Sequence, residues 1–327
     1  MRAGESEQAV DILGQRPLGT TGLAVTPLGV GCAPLGDMPD AFGYGVTEEQ
    51  ALATYRAILD GPLSFLDTAA AYGDSESERR LGIVLRERGS LHPGVVLATK
   101  ADRDLQTGDF SGTQIRRSVE RRLRLLGLDH LPLCYLHDPE VTTFEAAMAA
   151  GGPVEALRLC AAEGLVAHIG VAGGPIDLIT RYVETDLFAV ALSHNRYTLL
   201  NKDAAAFWDV CARHQVAAVN AAPYGGGMLA RGPRSYPRHA YREATDDVVE
   251  RALWLEEIGV RHAVPLAAAA LQFSLRDARI ASTIVGIDRP ELVAQTMALA
   301  RHPIPASLWS ELASIWPTTG EPQDGAS

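Results

Sequence analysis

Four side chains of the kinds that move protons stand at or just beyond the ends of short apolar runs. Asp67 closes LSFLD (63–67), Lys100 closes VVLATK (95–100), His137 closes LPLCYLH (131–137), and Tyr72 follows Asp67 after one threonine and three alanines. Singly, each has an ordinary explanation: an aspartate accepting loop N–H groups, a rim tyrosine, a solvent-facing lysine, a loop histidine beside Asp138-Pro139. Jointly they form a proton-transfer set. A free phenol ionises near pH ~10, far from the neutral range in which acid–base groups work best. A neighbouring ammonium favours the phenolate, so Lys100 is expected to draw the Tyr72 pKa down, and a carboxylate keeps such an ammonium charged and in place. The expected division is that Asp67 secures Lys100 without partnering Tyr72 directly, Lys100 tunes Tyr72, and His137 orients a substrate oxygen or shares its proton. Tyrosine is then the acid when a carbonyl is reduced and the base when an alcohol is oxidised.

Such a set must be delivered to one surface by the elements that carry it. Eight short apolar runs recur: LGVGC (28–32), LSFLD, VVLATK, LPLCYLH, LVAHIGV (165–171), LFAVALS (187–193), VAAVN (216–220) and STIVG (282–286). None alternates with polar residues, as strands buried on both faces read. Amphipathic stretches lie between them. In TEEQALATYRAILDG, Thr47 and Gln50 read as a capping box, Leu52, Tyr55 and Leu59 share a face, and Gly61 ends the helix. In SGTQIRRSVERRLRLLG, Ser111 and Gln114 repeat the box, Ile115, Val119, Leu123 and Leu126 face inward, and the five arginines are placed on the solvent side.

Alternating strands and helices imply an α/β fold with a parallel sheet. Eight strands favour a closed (β/α)8 TIM barrel over an open doubly wound sheet, and no G-x-G-x-x-G follows the first strand. RPLGTTGLAVTPLG (16–29) reads as an N-terminal β-hairpin turning at Thr20-Thr21-Gly22 and closing the barrel floor. Residues 1–15 are expected to be irregular, 16–315 to form one barrel domain, and 316–327 to be a disordered tail. In such a barrel chemistry gathers at the C-terminal strand ends, where Asp67, Lys100 and His137 stand.

The net charge of −11, from 29 basic against 40 acidic residues, argues against nucleic acid or an anionic membrane as partner. Cys32, Cys134, Cys160 and Cys211 are widely spaced among apolar neighbours and read as buried free thiols, suiting a reducing cytoplasm. MRAGESEQAVDILGQ lacks the form of a signal peptide, and no run of about 18 apolar residues suggests a membrane span. No metal-ligand spacing of the His-Glu-x-x-His kind occurs, so no metal is expected. A small molecule is the expected partner.

FLDTAAAYG, LATK and YLHDP together resemble the catalytic tetrad of the aldo-keto reductases, NAD(P)-dependent oxidoreductases built on a (β/α)8 barrel. YGDSESERRLG is similar to that family's Tyr-Gly, Ser-Glu, Leu-Gly pattern, and the likeness runs from about Arg16 to about Ala300. The resemblance implies direct hydride transfer between nicotinamide C4 and a carbonyl or carbinol carbon, with Asp67, Tyr72, Lys100 and His137 as the tetrad and Asp67 also near the cofactor. NAAPYGGGMLARG (220–232) resembles the family's pyrophosphate loop, which implies roles for Pro223, Tyr224, Gly225, Gly227 and Leu229, the glycines offering N–H groups to phosphate. GIDRPELVAQT (286–296) resembles its adenosine-phosphate segment, with Gly286, Asp288, Arg289 and Gln295 as contacts and Pro290 opening a helix whose N-terminus suits an anion. Either NAD or NADP is implied. Arg289 suits a 2′-phosphate while Asp288 repels one, a balance that leans to NAD.

The chain departs from the common family pattern at the ring contacts. Ala172-Gly173 replaces Ser-Asn, His194 replaces a glutamine, and Ala221 stands where a stacking tyrosine is usual. GVAGGP, NRYTLL and NAAPYGGGML are instead similar to a branch holding sugar 1-dehydrogenases, for fucose, galactose or arabinose, and a pyridoxal dehydrogenase. Phenylalanine and tyrosine look sparse near the mouth and Asp102, Arg103 and Asp104 follow Lys100, so a small hydroxylated aldose or aldehyde is the expected substrate. Two other readings stay open: a cofactor-binding, redox-sensing regulatory subunit with little turnover, and a barrel hydrolase using Asp67 with a second carboxylate.

Overall fold

In the computed structural model, residues 10–315 are described. Residues 1–9 of the expected irregular N-terminus and the whole expected tail, 316–327, lie outside them. Eight parallel strands close into a barrel: β1 (Leu28–Gly31), β2 (Phe65–Asp67), β3 (Val96–Ala101), β4 (Leu131–His137), β5 (Val166–Gly173), β6 (Val190–His194), β7 (Ala217–Ala221) and β8 (Ile280–Gly286), with β8 pairing both β7 and β1. The helices wrap the outside: α1 (Glu48–Asp60), α2 (Glu76–Arg88), α3 (Gly112–Leu126), α4 (Pro153–Ala162), α5 (Ile176–Val183), α6 (Ala205–Arg213), α7 (Asp246–Arg261), α8 (Leu266–Leu275), α9 (Glu291–Ala300) and α10 (Ala306–Ile315). Among the described residues no single helix is long and apolar enough to cross a membrane.

Strand parity divides the core in two. Phe65, Val96, Ala98, Leu133, Tyr135, Ala172, Val190, Leu192, Val219 and Ile284 meet inside the barrel, while Leu66, Leu97, Cys134, Leu136 and Val171 face the helices. The expected hairpin is present, Arg16–Pro17 pairing antiparallel with Ala24–Val25. Its Leu18 and Val25 join the interior cluster, and Arg16 donates to the carbonyl of Ile280 at the start of β8 (2.7 Å), so the hairpin does close the floor.

Both expected capping boxes are half made. Thr47 and Ser111 accept from the N–H groups of Gln50 and Gln114, but the glutamine side chains turn away, Gln50 to the Asp288 carbonyl and Gln114 to the Asp102 carbonyl. Each uses its length to satisfy a carbonyl at the mouth and so ties a helix start to a strand end.

Helix α3 corrects the reading of its arginines. Arg116, Arg117, Arg121 and Arg124 are on the outer side, but Arg122 is buried. Its Nε lies 2.7 Å from Glu78 Oε2 on α2, its Nη1 donates to Ser118, and Glu78 accepts from Thr99 on β3. Arg122 falls on the inner stripe with Ser118 and Val119, and α2 packs there, so it enters the interface because a carboxylate waits for it. Burial first, opposed by Arg122 and Thr99, pushes the Glu78 carboxyl up to about 6. Arg122→Met is expected to cost about 3–5 kcal/mol in denaturant unfolding by leaving Glu78 unpaired, and Arg122→Met with Glu78→Gln to recover most of it. Because a raised carboxyl relieves its penalty by taking a proton, the single variant should lose less near pH ~5 than near pH ~8.

Candidate active site

Asp67, Lys100, His137 and His194 share the parity of the barrel interior and stand one step above its apolar packing. Lys100 is 1% exposed and Asp67 2%. The ammonium donates to Asp67 Oδ1 (2.5 Å), to the Thr68 carbonyl (2.9 Å) and to Tyr72 Oη (3.0 Å), which uses all three of its hydrogens.

Backbone hydrogen bonds hold the turn that carries Tyr72. Its N–H bonds the Ala69 carbonyl, Ser75 N–H bonds that of Ala70, and Ser77 N–H bonds that of Tyr72 itself. Gly73 is left-handed (φ 67°), and a Cβ there would lie 1.7 Å from the carbonyl oxygen of Gly36, so the loop after β1 can press on this turn only because the residue is glycine. The small residues 69–71 allow the turn to return the phenol over the ammonium.

Two expectations are corrected here. Tyr72 Oη also donates to Asp67 Oδ1 (3.3 Å), so Asp67 partners the tyrosine as well as the lysine. The phenol is pushed well above its usual value, by burial first and then by Asp67, Tyr241, Asp138 and Asp102. The lysine does not draw it down, because burial and the carboxylates of the mouth oppose a phenolate more than one ammonium favours it. The surroundings thus favour the protonated phenol.

His137 is 8% exposed and sits edge-on to the Tyr72 ring at 6.4 Å between centroids. Its Nδ1 meets Asp102 Oδ1 in a short contact, and its Nε2 lies 3.6 Å from Asp138 Oδ1. Burial pushes the imidazole down, but Asp102 and Asp138 together outweigh it, and the net direction is up. Asp102 is itself lowered, against its burial, by His137, with Arg122 and Lys100 helping.

The residues implied for a dinucleotide are scattered around this centre. His194, half-buried, ends β6 with its ring near Gly174 and its Nδ1 3.3 Å from Asn195 Nδ2. Burial first, then His137, Arg196 and Lys100, push it down. Pro223 and Gly225 are buried and Tyr224 half-buried after β7. The glycine run departs from expectation: Gly225 and Gly227 spend their N–H groups on the carbonyls of Ala222 and Tyr224. Added Cβ atoms at the three glycines would meet His239, the Ala240 backbone and Tyr236, so the run admits another stretch of chain. Leu229 lies in the apolar cluster with Met228 and Leu255, its N–H bonded to Tyr224. Gly286 and Arg289 are exposed, Gln295 is exposed on α9, and Asp288 is buried between Arg231 and Arg289 (3.2 Å each).

Other groups at the mouth are not among the site residues expected from the sequence. Asp102 is two residues beyond Lys100, so strand parity alone could have placed it inside; it serves His137, and Asp104 caps its own turn at Gln106 and Thr107. Asp138 is left-handed (φ 41°) with Oδ1 buried and unpartnered, and Asn195 Oδ1 is likewise buried without a partner. The rim is not poor in aromatics. A strap around residues 233–244 crosses to the loop after β1, where Tyr236 donates to the Phe42 carbonyl and Arg238 to that of Asp40. This sets Tyr241 edge-on to Phe42 at 5.7 Å and beside His194.

A nicotinamide dinucleotide fits these residues. Strands β5, β7 and β8 bring only Ala172, Ala221 and Gly286 to the rim, which leaves space for a ring, and Asp67 Oδ2, Asn195 Oδ1, Tyr224 Oη and His239 Nε2 are buried polar atoms without partners.

Residues 27–317 match the model of the Aldo/keto reductase family. The chain is 34% identical over 319 residues to a D-threo-aldose 1-dehydrogenase of Pseudomonas sp., covering 89% of this chain and 94% of that one. It is 29% identical over 338 residues to a pyridoxal 4-dehydrogenase of Microbacterium luteolum, covering 92% and 96%. In structure it is similar to an aldo-keto reductase of Bacillus halodurans in its holo form, with a TM-score of 0.76 at 22% identity over 94% of this chain and 98% of that one. With the family model spanning nearly the whole barrel, the chain belongs to the aldo/keto reductase family.

Proposed function

We propose that this protein is an NAD-dependent aldose-type dehydrogenase in which Tyr72 is the general acid and base. As a member of its family it is an NAD(P)-dependent oxidoreductase of small carbonyl and alcohol compounds. The observation that carries the proposed roles is the placement of Tyr72 Oη 3.0 Å from Lys100 Nζ and 3.3 Å from Asp67 Oδ1 at the barrel mouth. The bound nicotinamide supplies the chemistry of hydride transfer at its C4. In reduction Tyr72, holding its proton, gives it to the carbonyl oxygen; in oxidation the phenolate takes the alcohol proton while Lys100 stabilises the negative oxygen. Asp67 keeps the buried ammonium charged. His194 and Asn195, whose Oδ1 lacks a partner, would hold the carboxamide in place of the usual Ser-Asn and glutamine. The aldose assignment is supported by the named activity of the Pseudomonas relative and by the carboxylates at the mouth, which accept hydroxyl hydrogens.

The lean to NAD is supported by Asp288. Its buried carboxylate engages Arg231 and Arg289, the cations a 2′-phosphate would need, and adds its own repulsion.

Turnover with NAD and NADP across aldoses, pyridoxal and simple aldehydes tests the substrate class; a protein silent on every sugar would turn it away. Tyr72→Phe is expected to lower turnover by about a hundredfold to ten-thousandfold while leaving dinucleotide binding, read by fluorescence titration, nearly unchanged. Full turnover in that variant would remove Tyr72 from its role. Because the phenol is held high, oxidation by the unaltered protein should keep rising with pH through the alkaline range without a plateau near neutrality. Asp288→Asn is expected to raise the NADP-to-NAD ratio of kcat/KM about tenfold, the equivalent of about 1.4 kcal/mol; an unmoved ratio would mean that Asp288 does not select the cofactor.

A further inference from the structure

We propose that Asp102 is a positioning residue for the reaction: by accepting the Nδ1 proton of His137 it fixes the imidazole as a two-proton donor whose Nε2–H faces the substrate oxygen beside Tyr72. The inference rests on the oxidoreductase reading above and adds a group to it.

The geometry is built. Asp102 is 4% exposed, and neither of its carboxylate oxygens is idle: Oδ1 meets His137 Nδ1 and Oδ2 accepts from Ala71 N–H (3.3 Å). Its own N–H donates to Ser118 Oγ (2.9 Å) on α3, and its carbonyl accepts from Gln114. The carboxylate is thus held by the turn that carries Tyr72 and by the helix packed behind β3. It links the two groups that meet a substrate oxygen, Tyr72 through the Ala71 N–H of its turn on one side of the carboxylate and His137 on the other.

With Nδ1 committed to Asp102, the ring has one orientation, and Nε2 points at the mouth. There it faces Asp138 Oδ1 at 3.6 Å, too long for a hydrogen bond. Two carboxylates flanking one imidazole favour its charged form, in which both nitrogens donate. The groups facing the ring are Lys100 from β3 and Asp102 just beyond it, Asp138 and Glu140 beyond β4, His194 from β6 and Tyr72 from the turn after β2. Lys100 and His194 oppose the charge, and Lys100 is already committed to Asp67, Thr68 and Tyr72. His137 keeps its proton through the reaction. Tyr72 alone transfers one, and His137 contributes a charged donor to the oxygen on which negative charge develops.

The test is a histidine-ring NMR titration of the intact protein, with the His137 signals assigned through His137→Gln. In the unaltered protein His137 is expected to titrate above the ordinary imidazole range with a strongly hydrogen-bonded Nδ1 proton; in Asp102→Asn its midpoint is expected to fall. In parallel, Asp102→Asn should lower kcat about tenfold to a hundredfold with little change in KM for the dinucleotide, and its basic limb for reduction should move to lower pH. A His137 that titrates at or below the ordinary range in the unaltered protein, or identically in Asp102→Asn, overturns the proposal. The titration of the unaltered protein is decisive by itself even if Asp102→Asn folds poorly. If no carbonyl or alcohol is ever turned over, the oxidoreductase roles fail while the titration still decides the Asp102–His137 relationship.

Discussion

The buried ammonium of Lys100 gives its hydrogens to three protein oxygens, and the top of the barrel is arranged around that charge. A lone buried ammonium would lose its proton or unfold the site, so each oxygen is a structural requirement as much as a chemical one. Asp67 must end β2 opposite Ala98, which puts its carboxylate on the same inner face as Lys100, the next inward residue on β3. Thr68 must turn its carbonyl inward while its N–H still bonds Ala98. The chain must then reverse within a few small residues to bring back the Tyr72 hydroxyl, and the contact of Gly73 with Gly36 holds that reversal against the neighbouring loop.

Around the ammonium the mouth carries a surplus of carboxylates. Asp67, Asp102, Asp138 and Glu140 face one lysine, and the titrating groups respond according to which of them is nearest. Tyr72 goes up because an anion there would face burial and Asp67 together. His137 goes up because Asp102 and Asp138 overcome its burial, while His194, at the end of β6 with Asp138 as the charge that opposes its burial, goes down. Two imidazoles in one mouth are thereby driven apart, one toward a charged double donor, the other toward a neutral ring that keeps an acceptor nitrogen. Groups of the same kind pushed in opposite directions divide a site into different roles.

The barrel and the four central residues were legible in the sequence because both are local signals: apolar runs of strand length, three of them ended by Asp67, Lys100 and His137, with Tyr72 five positions past the first. Asp102 was visible only to strand parity, since it follows Lys100 at a spacing of two and looks like the start of a polar loop. Arg122 hid because an amphipathic helix is read by its apolar stripe, and nothing in α3 announces a carboxylate on α2. The direction of the Tyr72 shift was out of reach, because a lysine nearby in sequence order is visible and the burial of a phenol is not. Tyr236, Arg238 and Tyr241 lie in a strap without periodicity, and their contacts with Phe42 and Asp40 span nearly two hundred residues. The glycine run was legible as a place where something approaches closely, but what approaches is this same strap.

The apolar half of the barrel has a part in the chemistry above it. Beneath the ammonium lie Tyr135, Leu133, Phe65 and Val96, and beneath those the hairpin seals the floor with Leu18 and Val25. Tyr135 has its ring 5.9 Å below Lys100 and a buried hydroxyl without a partner, so the layer directly under the charges offers them little polar relief. In such surroundings the interaction of two unit charges a few ångströms apart is several times its value in water, where it is only about 1 kcal/mol. The pairing of Asp67 with Lys100 and of Asp102 with His137 is strong for that reason, and so is the penalty on a Tyr72 anion. A floor that admitted water would weaken all three at once. The closure made by residues 16–25, far from any reacting atom, is therefore one of the conditions under which the mouth disfavours the phenolate and favours the charged imidazole.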